Sequence, residues 1–520
     1  MSQTPPIEDL LEQGDKLHNV GQFAEAFQIF DEVHQLQPDS LRALTGRANC
    51  LWSIGKYDEA LTEYNKVLEL DPDYVSALNG RGNVLKDLGK YEDAIADYSK
   101  AIELQPTYFY AWNGRGNALV CLGRNEEALA DYNQSIALNP SYFGAWRNRG
   151  NTFYNLGRYE EAVADHTKSL DLKPDYYLTW WNRGNALHEL KRYTEAVSDH
   201  SKAIELNSTD YCLWRNRGNA LYELGRYDES VANYSKAIDL NPNYYLIWWN
   251  RGNAFKQLGR YQEAIADYTQ TINLNPNFAS AWNTKGVALY SIKSYQESLD
   301  NYDRAIEVST NYFCCPHVGR GNVFHDMKQY EEAIAEYTKV TELQPQCRWS
   351  WNNRGNSLRN LRRYEEAIAD YKKALEITQN QCWQAWENWG WALWDSQGYK
   401  AAHEIWSQAI QKLVRRRPVD NYLEGCANMW RTRGAAYRQE ARLNGNPLQF
   451  WRDAKRCFGK SLGFFNEYLE LFPSNLDIRE QHLTVLQDYI TVCRYLKGES
   501  RKIQRLLEEG TDSLRRLLSN

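Results

Sequence analysis

The chain has 520 residues, 43% hydrophobic and 25% charged, with only 14 prolines, a balance that excludes long disordered tracts. No apolar run reaches the roughly eighteen residues a membrane span needs, and the start, MSQTPPIEDLLEQGDK, lacks the basic and apolar regions of a secretory signal. The net charge of −6 is uneven: residues 413–520 hold 19 basic and 13 acidic groups, a net of +6, leaving −12 in the first 412.

From about residue 7 the chain repeats itself. Arg-Gly-Asn recurs at 81–83, 115–117, 149–151, 183–185, 217–219, 251–253, 320–322 and 354–356, mostly 34 residues apart. The one gap, of 69, spans a divergent copy, Lys285-Gly286-Val287, and one extra residue. A fixed period of this length marks a stacked supersecondary unit. In LIWWNRGNAFKQLGRYQEAIADYTQTINLNP (246–276) apolar residues keep helical spacing on both sides of Leu258-Gly259-Arg260. Gly259 suits a helix C-terminus, the acidic residue after it suits the next helix start, and Pro276 blocks continuation. Each unit is predicted to be two antiparallel helices and a turn, and no strand pattern occurs anywhere. The fold class is all-α, an α-solenoid.

Small residues recur where the helices of a hairpin must approach. Gly82, Gly116, Gly150, Gly184, Gly218 and Gly252 are expected to face Ala94, Ala128, Ala162, Ala196, Ser230 and Ala264, twelve residues on. Tryptophans 112, 146, 180, 214, 248, 282, 351, 386 and 430 all stand four residues before that glycine, an address that points to packing. The order Trp248, Gly252, Tyr261, Ala264, Tyr268, Pro276 resembles the tetratricopeptide repeat, with Thr271 where alanine is usual. The resemblance covers about 7–416 in twelve units. It implies a right-handed superhelix whose first helices line a concave groove, and a non-enzymatic scaffold or adaptor that binds protein or peptide there, in the manner of an assembly factor or chaperone-like adaptor.

The arginine of each triplet invites a phosphate-binding reading. Against that, an acidic residue follows sixteen positions later in Arg47/Glu63, Arg81/Asp97, Arg115/Asp131, Arg149/Asp165, Arg183/Asp199, Arg251/Asp267, Arg320/Glu336 and Arg354/Asp370. Arg217/Asn233 and Lys285/Asn301 pair with asparagine, and where the basic residue is lost the partner turns apolar, as in Gln13/Ile29. The pair is read as a bridge within each hairpin, since an unpaired buried charge is costly.

Two asparagine rows share the first helices. One follows the glycine (Asn151, Asn185, Asn219, Asn253) and the other lies three residues earlier (Asn148, Asn182, Asn216, Asn250). In units two to four the earlier site is Gly46, Gly80 or Gly114, so the rows run together unbroken only across 148–253. An amide offers a donor and an acceptor to an extended main chain. Beside the rows one position alternates, Arg147, Trp181, Arg215, Trp249, and one turn beyond come Tyr154, His188, Tyr222 and Lys256, the positions where selectivity for an acidic or aromatic segment is expected. The competing reading has the tryptophans filling space between helices.

Further on, single extra residues fall near Phe313 and Cys382. Residues 417–473 are read as a divergent thirteenth hairpin, with Gly434 and Ala454 twenty apart rather than twelve, and 474–520 as capping helices at about 475–496 and 499–518. Arg415, Arg416 and Arg417, with Arg431, Arg438, Arg442, Arg452, Lys455 and Arg456, form a candidate basic surface for an acidic partner, with a solvated face as the plainer reading. His166 and His200 stand where other units carry tyrosine and are read as packing. Neither a metal site nor a cofactor loop is expected: the ten cysteines show no zinc spacing, and GRGNVL (80–85) lacks the strand and third glycine of a dinucleotide loop. Such thiols without a signal point to a cytoplasmic setting. Single-stranded nucleic acid is the alternative ligand, and the acidic solenoid argues against it.

Overall fold

The computed structural model describes residues 6–309, 315–414, 419–443, 448–471 and 476–495, and every regular element among them is helical. Contacts divide the chain into two units, Met1–Arg260 and Tyr261–Asn520. The first holds α1 (Ile7–Asn19), α2 (Phe23–Leu36), α3 (Leu41–Ser53), α4 (Tyr57–Leu70), α5 (Val75–Asp87), α6 (Tyr91–Leu104), α7 (Phe109–Cys121), α8 (Asn125–Leu138), α9 (Phe143–Asn155), α10 (Tyr159–Leu172), α11 (Tyr177–Glu189), α12 (Tyr193–Leu206), α13 (Tyr211–Glu223), α14 (Tyr227–Leu240) and α15 (Tyr245–Gln257). The second holds α16 (Tyr261–Leu274), α17 (Ala279–Ser291), α18 (Tyr295–Val308), α19 (Cys315–Asp326), α20 (Tyr330–Leu343), α21 (Arg348–Asn360), α22 (Tyr364–Ile377), α23 (Trp383–Gln397), α24 (Tyr399–Val414), α25 (Val419–Leu443), α26 (Leu448–Leu471) and α27 (Leu476–Tyr495).

Up to α24, the turn inside each hairpin is set by one left-handed residue. After α5, Gly89 at φ +77° lets its own N–H reach the Lys86 carbonyl at 3.0 Å and the Lys90 N–H reach the Leu85 carbonyl at 2.8 Å. Between hairpins a proline ends the second helix, and its carbonyl is used. Trp112, Trp146, Trp180 and Trp248 donate Nε1 to the carbonyls of Pro106, Pro140, Pro174 and Pro242 at 2.7–2.9 Å, stapling each first helix to the loop before it.

The core is a stack of second-helix aromatics between first helices. Tyr64, Tyr98, Tyr132, Tyr234, Tyr302, Tyr337 and Tyr371 are almost wholly buried. The glycines make room for these rings more than for the alanines the spacing suggests: a Cβ on Gly82 would lie 2.8 Å from the Tyr98 ring, and one on Gly114 in the next hairpin 2.5 Å from the same ring. The alanine site approaches the glycine carbonyl instead, as Ser230 shows by donating Oγ to the Gly218 carbonyl at 2.8 Å.

Within each unit, neighbouring odd-numbered helices touch one another, whereas among the described residues no even-numbered helix touches another even-numbered one. The odd helices are therefore crowded onto an inner wall and the even helices splayed on an outer one. In the second unit the residues that follow the twelfth repeat lengthen the pattern rather than break it. α25 and α26 run to 25 and 24 residues, and a Cβ on Gly434 would meet Phe458, the tyrosine address moved on by the eight-residue insertion. α27 lays Val485 and Val492 against Phe458 and Phe465, one cap; the predicted second cap at 499–518 and Phe313 lie outside the described residues.

Candidate peptide-binding face

The arginines are structural clamps. Arg149 donates Nε and Nη2 to the two carboxylate oxygens of Asp165 at 2.6 and 2.7 Å, while Nη1 reaches Asn133 of the preceding hairpin at 2.6 Å. Arg81, Arg115, Arg183 and Arg354 repeat this fork on Asp97, Asp131, Asp199 and Asp370. The guanidinium of Arg149 also lies 4.9 Å above the Trp146 ring. Burial pushes the Asp165 and Asp370 carboxyls up even with an arginine clamped on each, so these pairs fix hairpin register more than they add net stability. One expected pair fails: Asn301 donates Nδ2 to the Glu297 carbonyl and its Oδ1 is buried without a partner, because a single ammonium replaces the forked guanidinium at Lys285.

The asparagines are only half free. In the row after the glycine, the tyrosine fifteen residues on donates its hydroxyl to Oδ1: Tyr98 to Asn83 at 2.7 Å, Tyr132 to Asn117 at 2.8 Å, Tyr234 to Asn219 at 2.8 Å. The earlier row then donates Nδ2 backward to the same oxygens, Asn182 to Asn151 and Asn216 to Asn185 at 2.8 Å, Asn250 to Asn219 at 3.2 Å. Asn148 departs, donating instead to Asn113 at 3.0 Å. In the row after the glycine each of these oxygens is thus engaged inside the wall. Among the described residues no group accepts from Nδ2 of Asn117, Asn151, Asn185 or Asn219, and none of these nitrogens is buried. The row after the glycine thus presents donors, while in the earlier row Oδ1 of Asn182 and Asn250 has no partner among the described residues.

The alternating position adds cations to that row. Arg147 donates Nε and Nη2 to Asn148 Oδ1 at 3.3 and 3.1 Å with its guanidinium 5.0 Å over Tyr176. Arg215 donates to Asn216 at 3.1 Å and lies 5.5 Å over Tyr244. The oxygens of Asn148 and Asn216 in the earlier row are thereby used as well. Trp181 is spent differently: its indole packs with Ile204 and Leu213 and its Nε1 is buried without a partner, so it fills space between hairpins. Trp249 and Asn253 close the series on α15 and are half-buried. One turn further, Tyr154, His188 and Tyr222 sit edge-on to Tyr159, Tyr193 and Tyr227 at 5.1–5.4 Å, and burial lowers the Lys256 ammonium. At its N-terminal end the wall opens into a recess of about 430 Å³ lined by Asn117, Tyr132, Asn148, Asn151 and the Lys86–Asp87 pair.

His166 and His200 are buried packing groups. Neither nitrogen of either ring has a partner, and burial pushes both down to about 3, so both are neutral. Too short to reach Asn151 and Asn185, they leave those two amides tied only to Asn182 and Asn216. Sequence reasoning missed the tyrosine partner of each asparagine, although the signal was present: every unit with asparagine after the glycine carries tyrosine fifteen residues on except at 166 and 200. In the C-terminal basic region Arg438 is paired with Asp488 and Arg456 with Asp453 at 3.0 Å, while Arg415, Arg416 and Arg417 lie outside the described residues. No helix among the described residues is long and apolar enough to cross a membrane.

A family model described as TPR repeat matches residues 48–89, 82–121, 116–157, 218–259 and 252–293. Two described as tetratricopeptide repeat match 144–176 and 349–380, and 177–210 and 317–347, so that more than half of the chain is matched. The chain belongs to the tetratricopeptide-repeat family. As a tetratricopeptide-repeat protein it is, in general terms, a scaffold for protein–protein interaction. No curated protein matches it. Among solved structures, YrrB, a tetratricopeptide-repeat protein with an unusual peptide-binding site, is 23% identical over 36% of this chain and 97% of its own, at a TM-score of 0.34. MamA is 27% identical over 31% of this chain and 94% of its own at 0.28, and yeast Tom70 is 15% identical over 79% and 97% at 0.36. At these scores the likeness is of the repeated hairpin, and no ligand of theirs carries over.

Proposed function

We propose that this tetratricopeptide-repeat protein is a non-enzymatic cytoplasmic adaptor or assembly factor whose inner wall across 147–256 holds an extended, acceptor-rich segment of another protein. The observation that carries the reading is the one-sidedness of the asparagine row after the glycine, whose oxygens are each engaged within the wall while Nδ2 of Asn151, Asn185 and Asn219 stays unspent. Main-chain carbonyls are the matching partners. Facing helices stand about 8–10 Å apart and an extended peptide rises about 3.3 Å per residue, so a carbonyl meets a rung roughly every third residue. Arg147 and Arg215, two repeats apart, then favour carboxylates about six residues apart. Phosphates are acceptors too, but the net of −12 over the first 412 residues opposes a polyanion.

The test exploits the two asparagines that no tyrosine holds. Asn151→Asp with Asn185→Asp keeps the oxygen that Asn182 and Asn216 need and replaces the outward donor by an acceptor. Partners captured by the intact chain are expected to be lost by this variant while its helical content and melting stay unchanged. An identical set of captured partners would overturn the reading.

A further inference from the structure

The second unit carries the same four-residue frame at a place the unbroken asparagine run does not reach. Asn322, Tyr337, Asn353 and Asn356 line a recess of about 120 Å³ and stand at the repeat positions of Asn117, Tyr132, Asn148 and Asn151. Tyr337 donates to Asn322 at 2.7 Å as Tyr132 does to Asn117, whereas Asn353 donates to Asn322 at 3.1 Å where Asn148 turns to Asn113, and Tyr371 donates to Asn356 at 2.9 Å where no tyrosine holds Asn151. Here too the oxygens of Asn322 and Asn356 are engaged, and among the described residues no group accepts from their Nδ2. The walls differ. Where the first unit has Arg147 the second has Asn352, and among the described residues no arginine or lysine lines the recess. In place of Lys86 stands Tyr290, whose hydroxyl donates to Asp326 at 2.7 Å, leaving the other carboxylate oxygen without a bonded partner in this wall. His325 fills part of the space, held by Ser357 Oγ at 2.8 Å from its Nδ1.

We propose that this recess is a second, separate binding station that takes an uncharged side-chain amide, that of an asparagine or glutamine, rather than a carboxylate. The amide oxygen accepts from Nδ2 of Asn322 and Asn356, and the amide N–H donates to Asp326. A carboxylate meets the same donors but faces Asp326 in a recess lined by no arginine or lysine, and the small volume admits one such group. The proposal rests on the reading of the unspent amide halves as ligand donors, and adds a station of different selectivity.

The experiment is a titration of the full chain with two soluble extended peptides, one alternating glutamine and glycine, the other glutamate and glycine. The glutamine peptide is expected to lose about tenfold in affinity on Asn322→Asp with Asn356→Asp, the equivalent of about one hydrogen bond. The glutamate peptide is expected to be indifferent to that pair and to lose affinity on Asn117→Asp with Asn151→Asp. Both variants keep the oxygen that receives the tyrosine or asparagine hydrogen bond, and unchanged melting confirms that each is folded. Glutamine-peptide affinity that ignores Asn322→Asp with Asn356→Asp overturns the second station alone. Glutamate-peptide affinity that ignores Asn117→Asp with Asn151→Asp overturns the parent reading of the first unit.

Discussion

His166 and His200 occupy an address built for tyrosine, and the consequence is a pH dependence. Each imidazole is neutral in the fold at about 3 and ordinary, near 6.5, when unfolded. The unfolded chain therefore accepts protons that the fold refuses, so stability is complete above about 6.5 and falls as pH drops toward about 3, by roughly 1.4 kcal/mol per pH unit for each ring. Melting of the chain at pH 5 is expected well below that at pH 7. His166→Tyr with His200→Tyr is expected to flatten the difference and to restore hydroxyl bonds to Asn151 and Asn185 like that of Tyr132 to Asn117; an unaltered pH dependence would refute it. Asp165→Ala leaves the Arg149 guanidinium buried without its fork and is expected to cost about 3 kcal/mol in denaturant unfolding. At this scale the sequence was most informative where two residues changed together. Arginine and its acid sixteen residues on were legible because the loss of one accompanied the loss of the other. The asparagine–tyrosine bond was not, because both residues persist through most units, and only the two histidines reveal the link.

Elements repeat because one turn repeats, and the turn shows where the chain is strained. Gly55, Gly89, Gly123, Gly157, Gly225 and Gly259 occupy the left-handed site, but Lys191, Lys293, Lys328 and Arg362 hold it with φ of 59–64°. A residue with a Cβ is less comfortable there, by roughly 1 kcal/mol. Lys191→Gly is expected to raise stability by about 0.5 kcal/mol after the added freedom of the unfolded chain is subtracted, measured as a shift in the urea midpoint at constant slope. The extra residue near Cys382 is absorbed in the same conformational currency. Gln379 and Asn380 both turn left-handed, and Trp386 still donates its Nε1 to a carbonyl six residues back, that of Asn380, at 3.2 Å. Spacing showed the insertion but not this outcome, since left-handed glutamine and asparagine have no sequence signature as plain as glycine.

Across the molecule, hairpins and helix pairing were legible from period alone, because each unit must bury the same stripe against the next. The binding face was legible only in outline. Periodicity placed the asparagines on the first helices, yet which half of each amide remains available depends on hydroxyl and amide neighbours one hairpin away, and the recess at Asn322 and Asn356 depends on which small residues line it. The charge ledger also acts at this scale. With Arg147 and Arg215 as the cations of the first-unit face, binding of an acidic segment is expected to weaken with salt without vanishing, because carbonyl contacts to the amides persist where screened charge does not. The most direct measurement is a crystal structure of the chain bound to a captured partner segment. The account predicts segment carbonyl oxygens about 3 Å from Nδ2 of Asn151 and Asn185, and a segment seated on the even-numbered helices, with those nitrogens still facing solvent, would contradict it.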